Sequence, residues 1–346
     1  MLPYNCYIET EKHISGEKLT KVRNFLEKVG LDFDSAVDFT AVVYSSPGEV
    51  IATASLQKNV LKCIGISPEW QGEGLTASLM TCLLTQCAEQ GYSQQFLYTK
   101  PINAELFCPF GFSELARTST ALLMERPSGS IQSYLDSLPV PPSTGQIGAV
   151  VAHCNPITNG HLYLIETALQ QCDFLYVLIL SEDRGEVPAH DRMMLVCKAL
   201  QSYERVAVCP AGPYLISSAT FPAYFLRNIE LAQQAWCELD VQMFIKWFVP
   251  KLRITRRFVG SEPFSPVTAA YNKQLLVSLP RAGVEVIELE RKRSGDKAIS
   301  ASQVRALLRA GCGAALQDLV PTCTLEYFSD PDACAEAHRR LATSIN

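Results

Sequence analysis

The fold is decided by the stretch Gln146 to Thr167, which reads QIGAVVAHCNPITNGHLYLIET. Its first part, Ile147 to Ala152, is a continuous apolar run, which is typical of a strand buried on both faces of a parallel sheet. Asn155 and Pro156 end that strand, and apolar residues then recur at the spacing of a helix. These residues are Leu162, Ile165, Ala168 and Leu169. The stretch therefore predicts a strand, a turn and a helix.

The residues Thr158-Asn159-Gly160-His161 lie in this turn and in the first helical residues. The first amides of a helix have no partner inside it, and the helix dipole favours anions at that end. The turn therefore predicts an anion site above the end of the strand. A histidine at the start of a helix is more often a cap or a packing residue, so this motif alone leaves both interpretations open.

Length and composition limit the possible classes of protein. At 346 residues the chain exceeds the usual size of one hydrophobic core, so two domains are expected. The net charge of −5 argues against a nucleic-acid partner, which normally requires a basic face. The 13 cysteines include no Cys-x-x-Cys pair, so we expect reduced thiols and no metal held by protein side chains. No apolar span of membrane length is evident, and the predicted location is the cytoplasm.

Short strands alternate with helices up to about Glu125, and a proline-rich linker follows. We predict a first domain at 1–126, a linker at 127–145 and a second domain at 146–346. The predicted elements of the first domain are a hairpin around Pro47-Gly48, a further strand and a helix. Their ranges are Ala36 to Tyr44 and Val50 to Ser55, then Leu61 to Ile66, then Leu75 to Gln90.

A glycine-rich loop, Gln71-Gly72-Glu73-Gly74, lies between that strand and that helix. It resembles the loop with which Gcn5-related N-acetyltransferases hold the pyrophosphate of coenzyme A on backbone amides. The segment Asn103 to Phe112 resembles a later element of the same family. The resemblance implies that Gln71, Gly72, Gly74 and Asn103 bind a coenzyme-A-like arm. Cys108 replaces a tyrosine that often protonates the departing thiolate, which favours binding of the arm without acetylation of an amine.

The second half of the chain repeats the strand and helix pattern, which predicts right-handed parallel crossovers and a ligand at the carboxyl ends of the strands. The predicted fold class is α/β, with an N-terminal acetyltransferase-like α+β domain and a Rossmann-like parallel-sheet domain after it. The predicted strands are Phe174 to Leu180, Arg205 to Cys209, Phe258 to Gly260 and Val284 to Leu289. The predicted helices are Asp191 to Gln201, Leu226 to Ala235 and Ala269 to Leu279.

A second motif, Ile299-Ser300-Ala301-Ser302 with Arg305, stands at the start of a late helix. Ser302 is a candidate N-cap or first-turn residue, while Ser300 and Arg305 are candidates for contact with a phosphate. A serine-rich cap before an arginine-bearing helix is ordinary by itself. Together with the motif at Thr158 to His161, it resembles the paired signatures of the nucleotidyltransferase superfamily.

Three blocks are similar to those of the citrate lyase ligase family. They are Pro213 to Phe225, Val259 to Thr268 with Tyr271-Asn272, and Ile299 to Arg305. The resemblance implies a cytoplasmic AMP-forming ligase that uses ATP and acetate to acetylate the thiol of a coenzyme-A-like group on the acyl carrier subunit of citrate lyase. Acetyl adenylate is the implied intermediate, and AMP and diphosphate are the implied products.

The resemblance also implies roles for individual residues. Thr158, His161 and Arg305 are the predicted catalytic residues. Mg²⁺ is expected on the phosphates of ATP, with no nucleic-acid or membrane partner. The predicted ATP-binding residues are Cys154, Asn155, Gly160, Gly260, Glu262, Ser300 and Ser302. Two alternatives stay open at this point: an adenylyltransferase that acts on a phosphorylated acceptor, and a non-catalytic sensor of nucleotide and coenzyme A.

Overall fold

The structure is a computed structural model that describes residues 2–46, 48–142, 144–217, 221–226, 228–263 and 265–343. Some residues of the predicted elements and sequence blocks lie outside these ranges. They are Pro47, Ser143, 218–220, Arg227 and Phe264. Contacts divide the chain into two compact units, Met1–Ser133 with Phe221–Gln242, and Tyr134–Thr220 with Met243–Asn346. The first unit thus includes a segment that follows the central motif in sequence, whereas the predicted domains are continuous.

The first unit is built on a mixed sheet of seven strands in the order β1-β2-β3-β4-β5-β7-β6. Neighbouring strands are antiparallel except β4 and β5, which are parallel. The strands are β1 (Cys6–Lys12), β2 (Phe39–Ser45), β3 (Val50–Gln57), β4 (Val60–Ile66), β5 (Gln95–Thr99), β6 (Ser113–Arg117) and β7 (Leu122–Arg126). The predicted hairpin is formed by β2 and β3. Residues on both faces of these two strands are buried.

The second unit contains a sheet of five parallel strands in the order β10-β9-β8-β11-β12. The strands are β8 (Ile147–Ala152), β9 (Phe174–Ile179), β10 (Val206–Pro210), β11 (Arg256–Gly260) and β12 (Glu285–Leu289). Two short strands, β13 (Arg293–Ser294) and β14 (Lys297–Ala298), form a separate hairpin. The strand order reverses between β8 and β11, and in such sheets ligands bind at the carboxyl ends beside that point. These two sheets confirm the predicted α/β fold class.

Helices follow most strands, and several of them pack against the sheet of their own unit. The helix predicted from Leu226 begins at Ile229 and continues to Met243. The helices are α1 (Gly16–Lys28), α2 (Leu75–Glu89), α3 (Ala104–Phe107), α4 (Ser130–Asp136), α5 (Asn159–Leu169), α6 (Ala189–Leu200), α7 (Ile229–Met243), α8 (Val249–Leu252), α9 (Pro266–Ser278), α10 (Ala301–Arg309), α11 (Thr322–Ser329) and α12 (Ala335–Thr343). In the part of the chain that is described, none of these helices has the length and apolarity needed to span a membrane.

The pairing of β4 with β5 ends early and leaves a cleft in the first sheet. Only Val60 with Phe96 and Leu61 with Leu97 are paired, so the two strands separate toward their carboxyl ends. The edge of β4 from Cys63 to Ile66 is therefore not hydrogen-bonded to β5. A cavity lies in this region, as described below.

Candidate active site

A cavity of about 260 Å³ lies in the second unit beside β8 and β11. It takes its walls from the start of α5, the end of β11, α9 and the segment before α10, which places it where the strand order predicts a ligand. Among its lining residues are Thr158, Gly160, His161, Gly260, Asn272, Arg291, Lys292, Ile299 and Ser300. Both sequence motifs therefore contribute to one cavity.

The start of α5 is closed by a reciprocal pair of hydrogen bonds between Thr158 and His161. The amide of His161 donates to Thr158 Oγ1 (3.3 Å), and the amide of Thr158 donates to His161 Nδ1 (3.1 Å). Because Nδ1 accepts from a backbone N–H, the neutral ring carries its proton on Nε2. His161 is thus both a cap residue and a hydrogen-bond donor at the cavity wall.

The imidazole of His161 is neutral at physiological pH. Burial, together with the positive charge of Arg291 and the neighbouring His153, lowers its pKa to about 4. His153 also lines the cavity, and its Nε2 atom lies 3.3 Å from Glu182 Oε1. A neutral His161 donates one hydrogen bond from Nε2 without itself being a cation.

The amides at the start of α5 are mostly satisfied by the protein. Thr158 and His161 bind each other, and the amide of Asn159 donates to the Leu319 carbonyl (2.8 Å). Among the residues that the structure describes, the amide of Gly160 has no protein acceptor. Of the amides expected to be available to an anion, that of Gly160 has no protein acceptor in the described residues, whereas those of Thr158, Asn159 and His161 are bonded within the protein.

Gly160 brings the two motifs into contact. A Cβ atom there would lie 3.1 Å from the Ile299 carbonyl oxygen and 3.4 Å from Thr158 Oγ1, so a side chain would push the segments apart. Ser300, which follows Ile299, is the N-cap of α10, and its Oγ accepts from the amide of Gln303 (3.2 Å). Ser302 lies in the first turn, 3.0 Å from Ser300 Oγ, so the N-cap alternative for Ser302 is wrong.

Arg305 binds protein groups and is not among the residues that line the cavity. Its Nη1 donates to the Asn155 carbonyl (2.8 Å), and its Nε lies 3.0 Å from Glu186 Oε1. Arg309 also pairs with Glu186 (2.7 Å). Burial raises the pKa of the Glu186 carboxyl, but its own amide, Arg305, Asn155 and Arg309 outweigh that effect and hold it below its usual value. Arg305 is therefore fixed at the loop after β8, and its role toward phosphate stays a prediction.

Two further predicted residues, Cys154 and Asn155, form the loop behind the cavity. The amide side chain of Asn155 donates to Glu186 (2.7 Å) and accepts from the amide of Val187 (2.8 Å). Cys154 is buried, and burial raises its pKa to about 12, so the thiol is protonated. Neither side chain lines the cavity, which gives both of them a supporting position.

Gly260 and Glu262 follow β11 on the opposite wall. Gly260 lines the cavity, and its carbonyl accepts from Asn272 Nδ2 (3.0 Å). Glu262 pairs with Arg291, whose Nε donates to the Ser261 carbonyl (2.7 Å). Glu262 therefore fixes a cavity-lining arginine instead of lining the cavity itself.

A second cavity, of about 480 Å³, lies in the first unit where β4 and β5 separate. Three predicted residues line it: Gln71, Gly72 and Asn103. Asn103 Nδ2 donates to Thr99 Oγ1 (2.9 Å), which fixes the turn after β5. Gly72 and Gly74 have φ of +89° and +76°, values that glycine adopts most easily, and Gly74 is the N-cap of α2.

Comparison with known proteins decides the family. Residues 147–328 match the citrate lyase ligase C-terminal domain family. The citrate (pro-3S)-lyase ligase of Klebsiella pneumoniae is 37% identical over 313 residues, covering 89% of this chain and 91% of the relative. That of Escherichia coli is 35% identical over 328 residues, covering 92% of each. The chain belongs to the citrate lyase ligase family.

Two solved structures are similar to portions of this citrate lyase ligase family member. An acyl-CoA N-acyltransferase from Pseudomonas aeruginosa covers 35% of this chain and 99% of its own, at 15% identity and a TM-score of 0.31. A bifunctional NMN adenylyltransferase/ADP ribose pyrophosphatase from Francisella tularensis covers 58% of this chain and 53% of its own, at 14% identity and a TM-score of 0.38. The assignment of the fold rests on the strand orders of the chain itself.

Two residues near the ligase cavity were not predicted from the sequence, Arg192 and Glu186. Arg192 is fully buried and donates to the carbonyls of His153 (2.6 Å), Leu180 (3.0 Å) and Glu182. The sequence spacing could have predicted its burial, because Arg192 lies on the same face of α6 as two buried apolar residues, Leu195 and Val196. Glu186 lies in an irregular loop, and no local pattern marks it.

We expect His161 to stabilise this family member less as the pH falls from about 6.5 to about 4. The ordinary pKa is 6.5 and the folded value is about 4, so in this range the unfolded chain binds a proton that the folded chain does not. The contribution is complete above about 6.5 and is lost progressively below it. The measurement is the urea unfolding free energy of the parent and of His161→Gln at about pH 7.5 and about pH 5. The difference between the two proteins should decrease at the lower pH, and a constant difference would contradict the lowered pKa.

Proposed function

We propose that this chain restores the acetyl thioester of citrate lyase in two steps. Acetate and ATP first give acetyl adenylate and diphosphate, and the thiol of the coenzyme-A-like group on the acyl carrier subunit then accepts the acetyl group. The observation that carries the proposal is the contact of Gly160 with Ile299, which unites the Thr158–His161 and Ile299–Ser300 segments at one cavity. Family membership supports a ligase that acts on citrate lyase.

The cavity offers donors to the phosphates of ATP. His161 Nε2 and the amide of Gly160 can donate to phosphate oxygens, and Arg291 and Lys292 supply positive charge on the cavity wall. Nucleotidyl transfer depends mostly on positioning and on neutralising charge, which such donors provide without forming a covalent bond. Thr158 fixes the ring of His161, and Ser300 fixes the segment opposite, so both act as positioning residues here.

In the first step a carboxylate oxygen of acetate forms a bond to the α-phosphorus, and the bond to the diphosphate oxygen breaks. In the second step the thiolate attacks the acetyl carbon, and AMP leaves with the electron pair of the broken C–O bond. The described residues present no group of three or more His, Cys, Asp or Glu side chains that could hold a metal ion. A Mg²⁺ ion that enters with ATP would be held mainly by its phosphates, where it would supply further charge neutralisation.

The cavity in the first unit is the proposed site of the arm. The unpaired edge of β4 offers backbone groups to an extended amide-containing chain, and Gly72 leaves open space for close approach of an anion to the backbone. The start of α2, with Gly74 as its N-cap, adds the favourable end of a helix dipole.

All 13 cysteines are free thiols, which supports a reducing compartment such as the cytoplasm.

One assay tests the function: release of diphosphate from ATP by the full chain, with and without acetate and with and without the deacetylated carrier subunit. We expect diphosphate release that requires acetate, and acetylated carrier that accumulates together with AMP. Diphosphate release that requires a phosphorylated acceptor instead of acetate would support the adenylyltransferase alternative. Binding of ATP without any turnover would support the sensor alternative.

Filling the arm cavity should separate the two half-reactions. Thr76 lines the cavity from the first turn of α2, and Thr76→Trp is expected to lower acetyl transfer to the carrier at least about tenfold, because a side chain that fills the cavity excludes the arm. Acetate-dependent exchange of diphosphate into ATP should stay within about twofold of the parent. The matched control is Thr81→Trp, an exposed position on the same helix, which should affect neither activity. Equal loss of both activities in a folded Thr76→Trp protein would contradict a separate arm site.

A further inference from the structure

An apolar face lies at the rim of the arm cavity. The side chains of Ile102 and Leu106 are 88% and 47% exposed, and both residues line the 480 Å³ cavity. They stand four positions apart across the turn Pro101–Asn103 and α3, so they lie on the same side of this helical segment. We name these two residues the lip.

The segment that carries the lip is fixed by packing and by hydrogen bonds. Phe107, next to Leu106, is buried and meets the ring of Phe112 edge to face at 6.5 Å. Asn103 is bound to Thr99 (2.9 Å), and Arg117 Nη1 donates to the Pro101 carbonyl (3.3 Å). These contacts fix the backbone of the segment, and the side chains of Ile102 and Leu106 remain exposed to solvent.

Single exposed apolar residues are normal on protein surfaces and need no explanation. Ile229 in the same unit is 87% exposed, but its exposed neighbour Leu231 is only two positions away along α7, and neither residue is among those that line the arm cavity. The lip differs because two apolar side chains share one face and border the cavity that takes the arm. A protein that carries the arm must contact the surface beside that opening when the arm is in the cavity.

We propose that the lip docks the acyl carrier part of citrate lyase. This inference rests on the proposed function, since it assumes that the arm enters the cavity while covalently attached to a protein. The tethered protein must then lie against the cavity opening, and burial of Ile102 and Leu106 against an apolar patch of the carrier stabilises the complex. The lip recognises the carrier protein, and the cavity recognises the arm.

The test compares the same thiol on and off its carrier. The full-length enzyme acetylates either the deacetylated carrier subunit or free dephospho-coenzyme A, and kcat/KM is measured for both. For Ile102→Asp we expect a loss on the carrier that exceeds the loss on the free thiol by about tenfold or more, because one large apolar side chain is removed from the interface. The matched control is Ile229→Asp, at an equally exposed isoleucine in the same unit. This variant should leave kcat/KM unchanged for both substrates.

The outcomes separate this inference from the proposed function. If the parent acetylates neither thiol, the proposed function fails. If the parent is active and Ile102→Asp lowers kcat/KM equally for both substrates, Ile102 contacts only the arm and the docking role is wrong. An Ile102→Asp protein with unchanged kinetics on the carrier also overturns the proposal. Leu106→Asp provides a second variant, for which the same excess loss on the carrier is expected.

Discussion

Replacing His161 with alanine is expected to lower the rate of acetyl-adenylate formation about a hundred- to a thousand-fold, which is the usual cost of removing one donor that stabilises developing charge. The ring is neutral, its Nδ1 atom is held by the amide of Thr158, and Nε2 is left to donate at the cavity wall. The chain should stay folded, because the lost cap bond lies at the first turn of one helix. Acetate-dependent exchange of diphosphate into ATP measures the loss, and circular dichroism checks the fold.

The matched control for this variant is His190→Ala. The imidazole of His190 is 91% exposed in the same unit, and its loss should leave the exchange rate unchanged. An exchange rate for His161→Ala within a few-fold of the parent would show that His161 is a helix cap without a catalytic role. A lowered rate together with a lost circular dichroism signal would assign the effect to folding.

Replacing Arg192 with methionine is expected to lower the free energy of unfolding by about 3–5 kcal/mol. The guanidinium is fully buried and donates to the carbonyls of His153, Leu180 and Glu182, and all three bonds are lost when it is removed. Because these carbonyls follow β8 and β9, adenylation should fall as well. Urea unfolding followed by fluorescence measures the change in stability.

Two further variants on α6 make this prediction specific. Lys198→Met removes an exposed cation that pairs with Glu326 at 3.7 Å, and its effect should stay below about 1 kcal/mol. Arg192→Lys keeps the charge and part of the hydrogen bonding, so its loss of stability should fall between the other two. Equal stability of Arg192→Met and the parent would contradict the prediction, and it would mean that water molecules donate to the three carbonyls in place of the guanidinium.

The sequence predicted the elements of the second unit well because their signals are local. The apolar run before Asn155, the turn at Thr158 and the helical spacing after His161 each depend on neighbours within a few residues, and β8 and α5 begin and end close to the predicted positions. The family was also recognisable, since its motifs are short and contiguous. These signals specify which residues stand at strand and helix ends.

The contacts of the site were harder to predict because their partners are distant in sequence. Arg305 was expected at phosphate, yet its observed partners are Glu186 and the Asn155 carbonyl. The importance of Arg192 depends on carbonyls of two different strand ends, which no local pattern reveals. The spacing of α7 predicted a helix, but helical spacing does not show which compact unit the helix belongs to.

The discontinuity of the first unit has a consequence for how the protein is made. The hydroxyl of Tyr224 donates to the Tyr98 carbonyl (2.9 Å), and the amide of Asp32 donates to the Tyr224 carbonyl (2.8 Å). These partners leave the ribosome long after the sheet that they complete, and in the interval the growing chain carries an unfinished surface. Synthesis runs from the amino terminus, but the first unit is complete only when the chain has passed Gln242. The first unit to be translated is therefore not complete before much of the second has been synthesised, and a fragment cut at the linker would lack its own last segment.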